Sequence, residues 1–584
     1  MYGWMGRILQ VDLTKRKSKI IEISKDSLMK FIGGRGLGAY FLFKFLNAKI
    51  NPLSRENLLV FSVGPLTGTL TPCSGRCTVV SKSPLTGTVF DSNAGGPLGP
   101  EIKYAGYDAI IIKGVSESPT LIIIDDDEVL LENANGLWGL KTSETFSSIK
   151  RDYGRDFKVA CIGPAGENQV LFSCIATCSG NFFGRGGLGA VMGSKKLKAI
   201  AIRGDRKVSV FNEEQLMKLR EEAIKRVKMN PVTGKALPRF GTPFLVRVID
   251  EINALPTKNF NERKWVKAEV FSGENISRYV IRRRACPMCP IACKFITKFN
   301  EIETHGPEFE SLWALGVNCQ LDSLEKVVYV NKLCNEYGLD TISTGGVMAC
   351  LMELSESGIL GEAKIEWGDF EAVKEVLIKI VNRVNIGKLA SLGAERLARH
   401  FNASGIAMTV KGLELPAYDP REVYGQALAY ATSNRGGCHL RSYMISMEVL
   451  GLPILIERRT LMFKPDLVAL NQDFLAVIDS LVLCKFITLE LDDEFITHIL
   501  TAVTGIEFDR GKLLKTGERI WNLERLFNIR EGFTKESDKL PSRLMREIPL
   551  SEMIEKYYEV RGWSNRGKPK LEKLRELGLE WVSI

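Results

Sequence analysis

Apolar positions fall into two regimes along the chain. Up to about residue 208 they come in short runs closed by Gly, Pro and Asp, such as Asn57-Leu-Leu-Val-Phe-Ser62, Ala109-Ile-Ile-Ile-Lys113, Leu121-Ile-Ile-Ile-Asp125 and Ala199-Ile-Ala-Ile-Arg203. β-branched runs of that length between turn residues predict strands. From Asn212 onward apolar residues recur at helical spacing, and helices are expected over Glu213–Met229, Ser323–Tyr337, Phe370–Asn385 and Ala390–Phe401. The chain therefore reads as α+β, with a sheet-rich domain (1–208), a mainly helical domain (209–415) and a second mainly helical domain (416–584). The first boundary follows the change of period; the second follows the Gly/Pro-containing loop from Gly412 to Pro420. A faint echo links Gly33-Gly-Arg-Gly-Leu-Gly-Ala-Tyr40 to Gly184-Arg-Gly-Gly-Leu-Gly-Ala-Val191, as if two similar halves of the first domain each offered a glycine-rich loop to a ligand.

Composition narrows the function classes. With 584 residues, 45% hydrophobic and 25% charged, the chain is ordinarily globular and large enough to enclose a cofactor. No apolar run approaches the ~18 residues of a membrane span, and the first residues lack the apolar core of a signal peptide, so a cytoplasmic protein is expected. Thirteen cysteines in such a chain point to metal ligation rather than disulfides. The net charge of +10 is dispersed except at Arg282-Arg283-Arg284, which abuts a cysteine cluster. There it would offset a cluster's negative charge or steer an acidic electron-transfer partner. No nucleic-acid module accompanies it.

The cluster is Cys286-Pro-Met-Cys289-Pro-Ile-Ala-Cys293, three thiols at C-x2-C-x3-C spacing in a proline-stiffened loop. Structural zinc usually takes two short knuckles, and no second knuckle is present; a lone distant fourth cysteine suits a four-iron cluster. Spacing alone does not choose that fourth ligand among Cys319, Cys334, Cys350, Cys438 and Cys484. Three glycine-rich segments, Gly64 to Arg76, Asp91 to Pro97 and Asn181 to Gly189, would bring backbone N–H groups close to an anionic ligand, with Arg76 and Arg185 recognising phosphate. Gly184-Arg-Gly-Gly-Leu-Gly189 formally matches a dinucleotide fingerprint, but the helical stretch after it is short and Arg185 is foreign to a Rossmann turn.

Taken together, these segments resemble the tungsten-containing aldehyde:ferredoxin oxidoreductase family, from Gly3-Trp-Met-Gly-Arg-Ile-Leu9 through Arg76, Asn93-Ala-Gly95, the Gly184 loop, the cysteine triplet, Gly306-Pro-Glu-Phe-Glu310, Tyr337-Gly-Leu-Asp340 and Gly436-Gly-Cys-His439. The resemblance implies tungsten held by two pyranopterin dithiolenes, magnesium (Mg2+) bridging their phosphates, and a four-iron [4Fe-4S] cluster completed by Cys484. It also implies pterin or magnesium contacts at Arg76, Asn93, Ala94, Gly95, Asn181, Phe182, Gly184 and Arg185. Further cofactor contacts fall on Asn335, Asp340, Cys438, Asp479 and Leu483. Two family signatures of the form Asp-x-x-Gly-Leu-Asp/Cys are altered here: Asn335 replaces the leading Asp of one, and Val482 the glycine of the other. The Glu-x-x-His pair through which family homodimers share an iron is also replaced, by Tyr329 and Lys332. An iron-bridged homodimer is therefore not expected; a monomer, or a complex with a small iron–sulfur subunit, is.

The implied reaction is oxidation of an aldehyde to a carboxylic acid, with electrons leaving through the cluster to ferredoxin or an iron–sulfur partner. Glu310 is the candidate base and His439 the candidate hydrogen-bond partner of substrate. The alternatives are a benzoyl-CoA-type aromatic-ring reductase subunit on the same scaffold, an iron–sulfur relay without a substrate, and a zinc-stabilised binding module.

Overall fold

The structure is a computed structural model that describes residues 1–178, 180–361 and 364–582. It is α+β, as expected, with the strands concentrated ahead of residue 204 and helices dominating after it. The first six strands, β1 (Arg7–Asp12), β2 (Lys17–Glu22), β3 (Leu59–Ser62), β4 (Arg76–Lys82), β5 (Val89–Gly95) and β6 (Ala109–Lys113), form one sheet in the order β2-β1-β6-β3-β4-β5. The next six, β7 (Thr120–Asp125), β8 (Glu128–Asn133), β9 (Lys158–Cys161), β10 (Ile175–Thr177), β11 (Phe182–Phe183) and β12 (Leu197–Arg203), form a second sheet in the order β11-β10-β9-β12-β7-β8. Read from its other edge, the second order repeats the first, strand for strand. In each sheet a hairpin opens the unit and its first strand pairs in parallel with the last, β1 with β6 and β7 with β12.

That duplication corrects the echo seen in sequence. The Gly33 segment lies between β2 and β3, whereas the Gly184 segment lies between β11 and β12, so the two are not equivalent. The true counterpart of Phe182-Phe-Gly184-Arg-Gly-Gly-Leu188 is Asn93-Ala-Gly95-Gly-Pro-Leu98, since each ends its half's fifth strand and opens the helix before the sixth. The glycines of the Gly33 segment serve packing instead. A side chain at Gly33 would meet Val63 O at 2.5 Å, and one at Gly34 would meet Asp479 O at 2.4 Å. Because β10 and β11 are antiparallel, the Gly184 loop also lacks the parallel βαβ setting of a dinucleotide fold.

Two helices match their expected ranges closely, Glu213–Met229 capped by Asn212 and Leu324–Tyr337 capped by Ser323. Others differ. The strand expected from Asn57 begins at Leu59, and the helix expected to Asn385 stops at Asn382. The helix expected over Ala390–Phe401 is two short ones, Ile386–Ala390 and Ala394–His400, because Gly393 takes φ 91° between them. A small antiparallel sheet, Val280–Arg284, Lys294–Phe299 and Ile302–His305, interrupts the helical region and holds the cysteine triplet in its first connection. Among the described residues no helix is long and apolar enough to cross a membrane.

The N-terminal sheet and the C-terminal helices meet over a buried ion lattice. Arg35 donates to both oxygens of Glu524 (2.6 and 2.7 Å) and to Asp479 at 3.3 Å. Arg441 reaches Asp91 at 2.7 Å and Asp479 at 3.0 Å, and Lys485 reaches Asp479 at 2.5 Å. Burial alone would raise the Asp479 carboxyl; Arg441, Lys485 and Arg35 outweigh it and hold that group well below the usual carboxylate range. Removing one member leaves the rest uncompensated in a dry interior. Arg35→Met is expected to cost about 3–5 kcal/mol in denaturant unfolding. Adding Glu524→Leu is expected to recover part of that loss.

Candidate active site

A cavity of about 250 Å³ opens where the two regions meet, and Cys286, Cys289, Cys293 and Cys484 all line it. The triplet loop is seated on the first glycine-rich segment. A side chain at Gly75 would strike Pro287 O at 2.6 Å, and one at Gly95 would strike Cys286 Sγ at 2.6 Å, with Asn181 Oδ1 and Arg76 Nη1 at 3.4 and 3.5 Å. Gly95 thus marks the point where cysteine loop and sheet cradle touch, and only a missing side chain permits the approach. Cys484 follows the C-terminus of the Lys464–Leu481 helix, where its N–H donates to Cys73 O at 3.0 Å. Cys289 is pushed down to about 6, chiefly by its hydrogen-bonding contact with the Cys73 sulfur at 3.8 Å. The other four open candidates for the fourth ligand, Cys319, Cys334, Cys350 and Cys438, are buried away from this cavity's wall.

Glu310 and His439 line the same cavity, so the two candidate catalytic residues stand beside the thiols. Glu310 lies on the short helix Phe309–Leu312 and accepts from Ala417 N–H at 3.0 Å through Oε2, while Oε1 has no hydrogen-bond partner. Burial, only partly offset by that N–H and by Arg185, pushes its carboxyl up to about 8. His439 follows Gly436-Gly437, which press against the Thr409–Val410 and Leu413–Glu414 hairpin; a side chain at Gly436 would meet Val410 O at 2.6 Å. Its Nε2 is 3.6 Å from Glu310 Oε1, too far for a direct hydrogen bond, and its Nδ1 is buried without a partner. Burial and then Arg185 and Arg435 hold the ring well below its ordinary pKa, so it is neutral. The pair thus presents two polar atoms to the cavity with a gap between them.

Of the cavity residues that the sequence reading did not pick out, four bear on the chemistry. Tyr418 and Tyr443 complete the wall beside His439, their hydroxyls 3.3 Å apart. Lys485 joins the cavity to the ion lattice. Cys73 carries the clearest overlooked signal, since it sits inside the Gly64–Arg76 segment three residues before Arg76.

A second, smaller cavity of about 110 Å³ is lined by Phe182, Gly184, Asn335 and Asp340. Lys294 and Glu308, 3.3 Å apart, border both cavities. The position of a side chain at Gly184 faces open space. Arg185 is turned away from this space and donates to Asp340 (3.1 Å), Gly437 O (2.9 Å) and Glu414 O (2.7 Å). Asn335 bonds Thr304 Oγ1 at 3.2 Å, and Asp340 caps the helix Thr341–Glu356. Arg76 lies against Asn93, donating to its carbonyl at 3.3 Å, and Ala94 is buried in β5. Cys438 accepts from Arg435 at 2.8 Å; burial would raise its thiol, and Arg435, Arg441 and Arg185 outweigh that and lower it. Leu483 is buried in an apolar cluster and Asp479 in the ion lattice, so neither side chain lines a cavity wall.

The donor set fits the groups that the sequence resemblance implies. Five thiols, those of Cys286, Cys289, Cys293, Cys484 and Cys73, line one cavity. Arg435 Nε and Arg441 Nε are buried without partners, as donors awaiting an anionic group would be. Comparison with known proteins decides the family. The N-terminal domain model of aldehyde ferredoxin oxidoreductase matches residues 8–204, and the model of its domains 2 and 3 matches residues 218–579. The chain belongs to the aldehyde ferredoxin oxidoreductase family. It is 42% identical to the tungsten-containing aldehyde ferredoxin oxidoreductase of Pyrococcus furiosus, over 99% of each chain. The aliphatic sulfonate oxidoreductase, WOR-like subunit, of the same organism is 30% identical to this chain, over 99% of this chain and 97% of its own. The active site complex BamBC of benzoyl coenzyme A reductase superposes with a TM-score of 0.89 at 26% identity, covering 100% of this chain and 98% of that one. This aldehyde ferredoxin oxidoreductase family member is an oxidoreductase.

An infrared titration of the cofactor-free chain is expected to show a protonated carboxyl band at pH 7 that disappears as pH rises through about 8, the value to which Glu310 is pushed. Glu310→Gln is expected to remove it.

Proposed function

We propose that this enzyme oxidises aldehydes to carboxylic acids at a tungsten–bispyranopterin centre and passes the electrons, through a four-iron cluster on Cys286, Cys289, Cys293 and Cys484, to ferredoxin or a small iron–sulfur partner. The observation that carries this reading is the single cavity that holds the thiols of Cys286, Cys289, Cys293 and Cys484 together with Glu310 and His439. Aldehyde plus water yields acid, two protons and two electrons. When bound, the metallopterin would supply the two-electron acceptor and polarise the carbonyl. Asn93, Ala94 and Gly95 of one half and Asn181, Phe182, Gly184 and Arg185 of the other would hold its two pterins and magnesium, with Arg76 beside the cluster thiols. Asn335, Asp340, Cys438, Asp479 and Leu483 are carried as further contacts.

The chain's own groups account for the proton steps. Glu310 has one oxygen fixed by Ala417 and the other free, so its ionised form can take a proton from water held beside that free oxygen in the cavity. Neutral His439 can offer a hydrogen bond to the substrate oxygen without bringing a charge. Leu245, Ile291, Phe309, Leu440 and Leu475 make much of the remaining wall apolar, which favours a hydrophobic aldehyde.

A ring-reducing activity is the second reading, favoured by the TM-score of 0.89 to the benzoyl coenzyme A reductase complex. The 42% identity to tungsten-containing aldehyde ferredoxin oxidoreductases against 26% for that complex supports the aldehyde reading over it. Metal and pterin analysis of anaerobically purified enzyme, with parallel aldehyde-dependent and aromatic acyl-CoA-dependent dye assays, separates the two. Tungsten with aldehyde turnover is expected; acyl-CoA turnover alone would displace this proposal.

Glu310→Gln and His439→Asn are each expected to lower kcat by about 10²–10⁴ with iron content unchanged. In the unsubstituted enzyme log(kcat/KM) should rise with pH until about 8, because the base form of Glu310 gains population through that range. Exposed Arg282, Arg283 and Arg284 precede the cluster loop and suit an acidic electron acceptor. Replacing all three with Ala is expected to lower kcat/KM for ferredoxin by at least about tenfold at low salt and to flatten its ionic-strength dependence. Turnover with a small dye should stay unchanged.

A further inference from the structure

Cys73 has a place in the site that neither the resemblance nor the four-ligand count accounts for. Its side chain is 2% exposed and lines the thiol cavity, and its Sγ is 3.8 Å from Cys289 Sγ. Its backbone ties the ligand loops to each other: its N–H donates to Met288 O at 2.9 Å, inside the triplet, and its carbonyl accepts from Cys484 N–H at 3.0 Å. Buried cysteines elsewhere in the chain behave differently. Cys77, Cys161 and Cys319 direct their sulfurs to the backbone carbonyls of Ser62, Thr142 and Ala314, as small core residues do. The polar contact of Cys73 is another sulfur, on the wall where the cluster would sit.

The structure assigns Cys73 as a fifth cluster-facing thiol: an S–H donor to the Cys289 sulfur and the reserve ligand for the iron that Cys289 holds. This rests on the four-iron reading above. The Cys73 sulfur, 3.8 Å from the Cys289 sulfur, would take the place of Cys289 on that iron. In the exchange an iron–sulfur bond to Cys73 forms as the one to Cys289 breaks. The Cys73 proton passes to the departing Cys289 thiolate, and no electrons change hands. The reserve belongs to the Cys289 corner of the cluster.

The test compares Cys289→Ala, Cys73→Ala and the double variant, purified anaerobically as the full enzyme, by iron per chain, by the low-temperature EPR signal of the reduced cluster and by its midpoint potential. Cys289→Ala is expected to keep near-complete iron and a four-iron EPR signal with shifted g-values, while the double variant loses iron severalfold. Cys73→Ala alone is expected to keep its cluster but at a lower midpoint potential, because a hydrogen bond to a ligand sulfur is removed. Loss of iron in Cys289→Ala equal to that of the double variant overturns the assignment. Should Cys289→Ala not fold, the Cys73→Ala potential decides: a lowered value supports the role and an unchanged one overturns it. A native enzyme without a four-iron cluster would instead remove the reading on which the assignment stands.

Discussion

The molecule depends on charges that cannot be solvated. Arg35, Arg435, Arg441 and Lys485 face Asp91, Asp479 and Glu524 across the seam between the N-terminal sheet and the C-terminal helices. Each member would be costly alone in a dry interior, so the lattice forms only when both regions are in place. It therefore couples their assembly rather than adding a simple increment of stability. Four cations against three carboxylates also leave the seam positive, and that surplus borders the cavity wall at Lys485 and lowers the Cys438 thiol against the effect of burial. The same lattice that joins the regions prepares the site for anions.

Within that frame the duplicated sheet explains why two glycine-rich loops face the site. Each half delivers one loop between its fifth strand and the following helix, Gly95 in the first and Gly184 in the second. Their environments differ as much as their topology agrees. Gly95 is pressed against the Cys286 sulfur, while the side-chain position of Gly184 faces open space. A repeat that starts from one architecture has thus produced one loop that receives the cysteine ligands and another that leaves room.

Much of this was legible in the residues, for identifiable reasons. Strands such as Ala109–Lys113 and helices such as Glu213–Met229 carry strong local patterns with turn residues or caps at their ends, and local pattern was enough. The cysteine triplet announced itself by spacing and prolines. The repeat was misread because the echo matched glycine patterns rather than strand order, and glycines recur wherever backbones pack closely, as Gly33 and Gly34 do against Val63 and Asp479. Tyr418 and Tyr443 carry no local signature, and Cys484 only the altered family signature that ends on it. Their placement is set by long-range packing of elements far apart in sequence, which spacing along the chain does not encode. The ion lattice was invisible for the same reason, its members being spread from Arg35 to Glu524.

The electrostatics of the cavity bring these strands of evidence to one point. A positive surround would ordinarily ionise a nearby carboxylic acid, yet burial leaves Glu310 up at about 8. Arg185, the cation that most lowers Glu310, is committed to Asp340 and to two backbone carbonyls, so burial prevails. His439 feels the same surround with opposite effect, since burial and the neighbouring arginines both disfavour its charged form. The result is an acid that holds its proton near neutrality beside a ring that does not take one up, separated by 3.6 Å. Such a pair faces a small molecule in the cavity with one group that can lose a proton near neutral pH and one that stays uncharged. That pairing, rather than the identity of the two residues alone, ties the proton chemistry to the way the arginines are committed elsewhere in the fold.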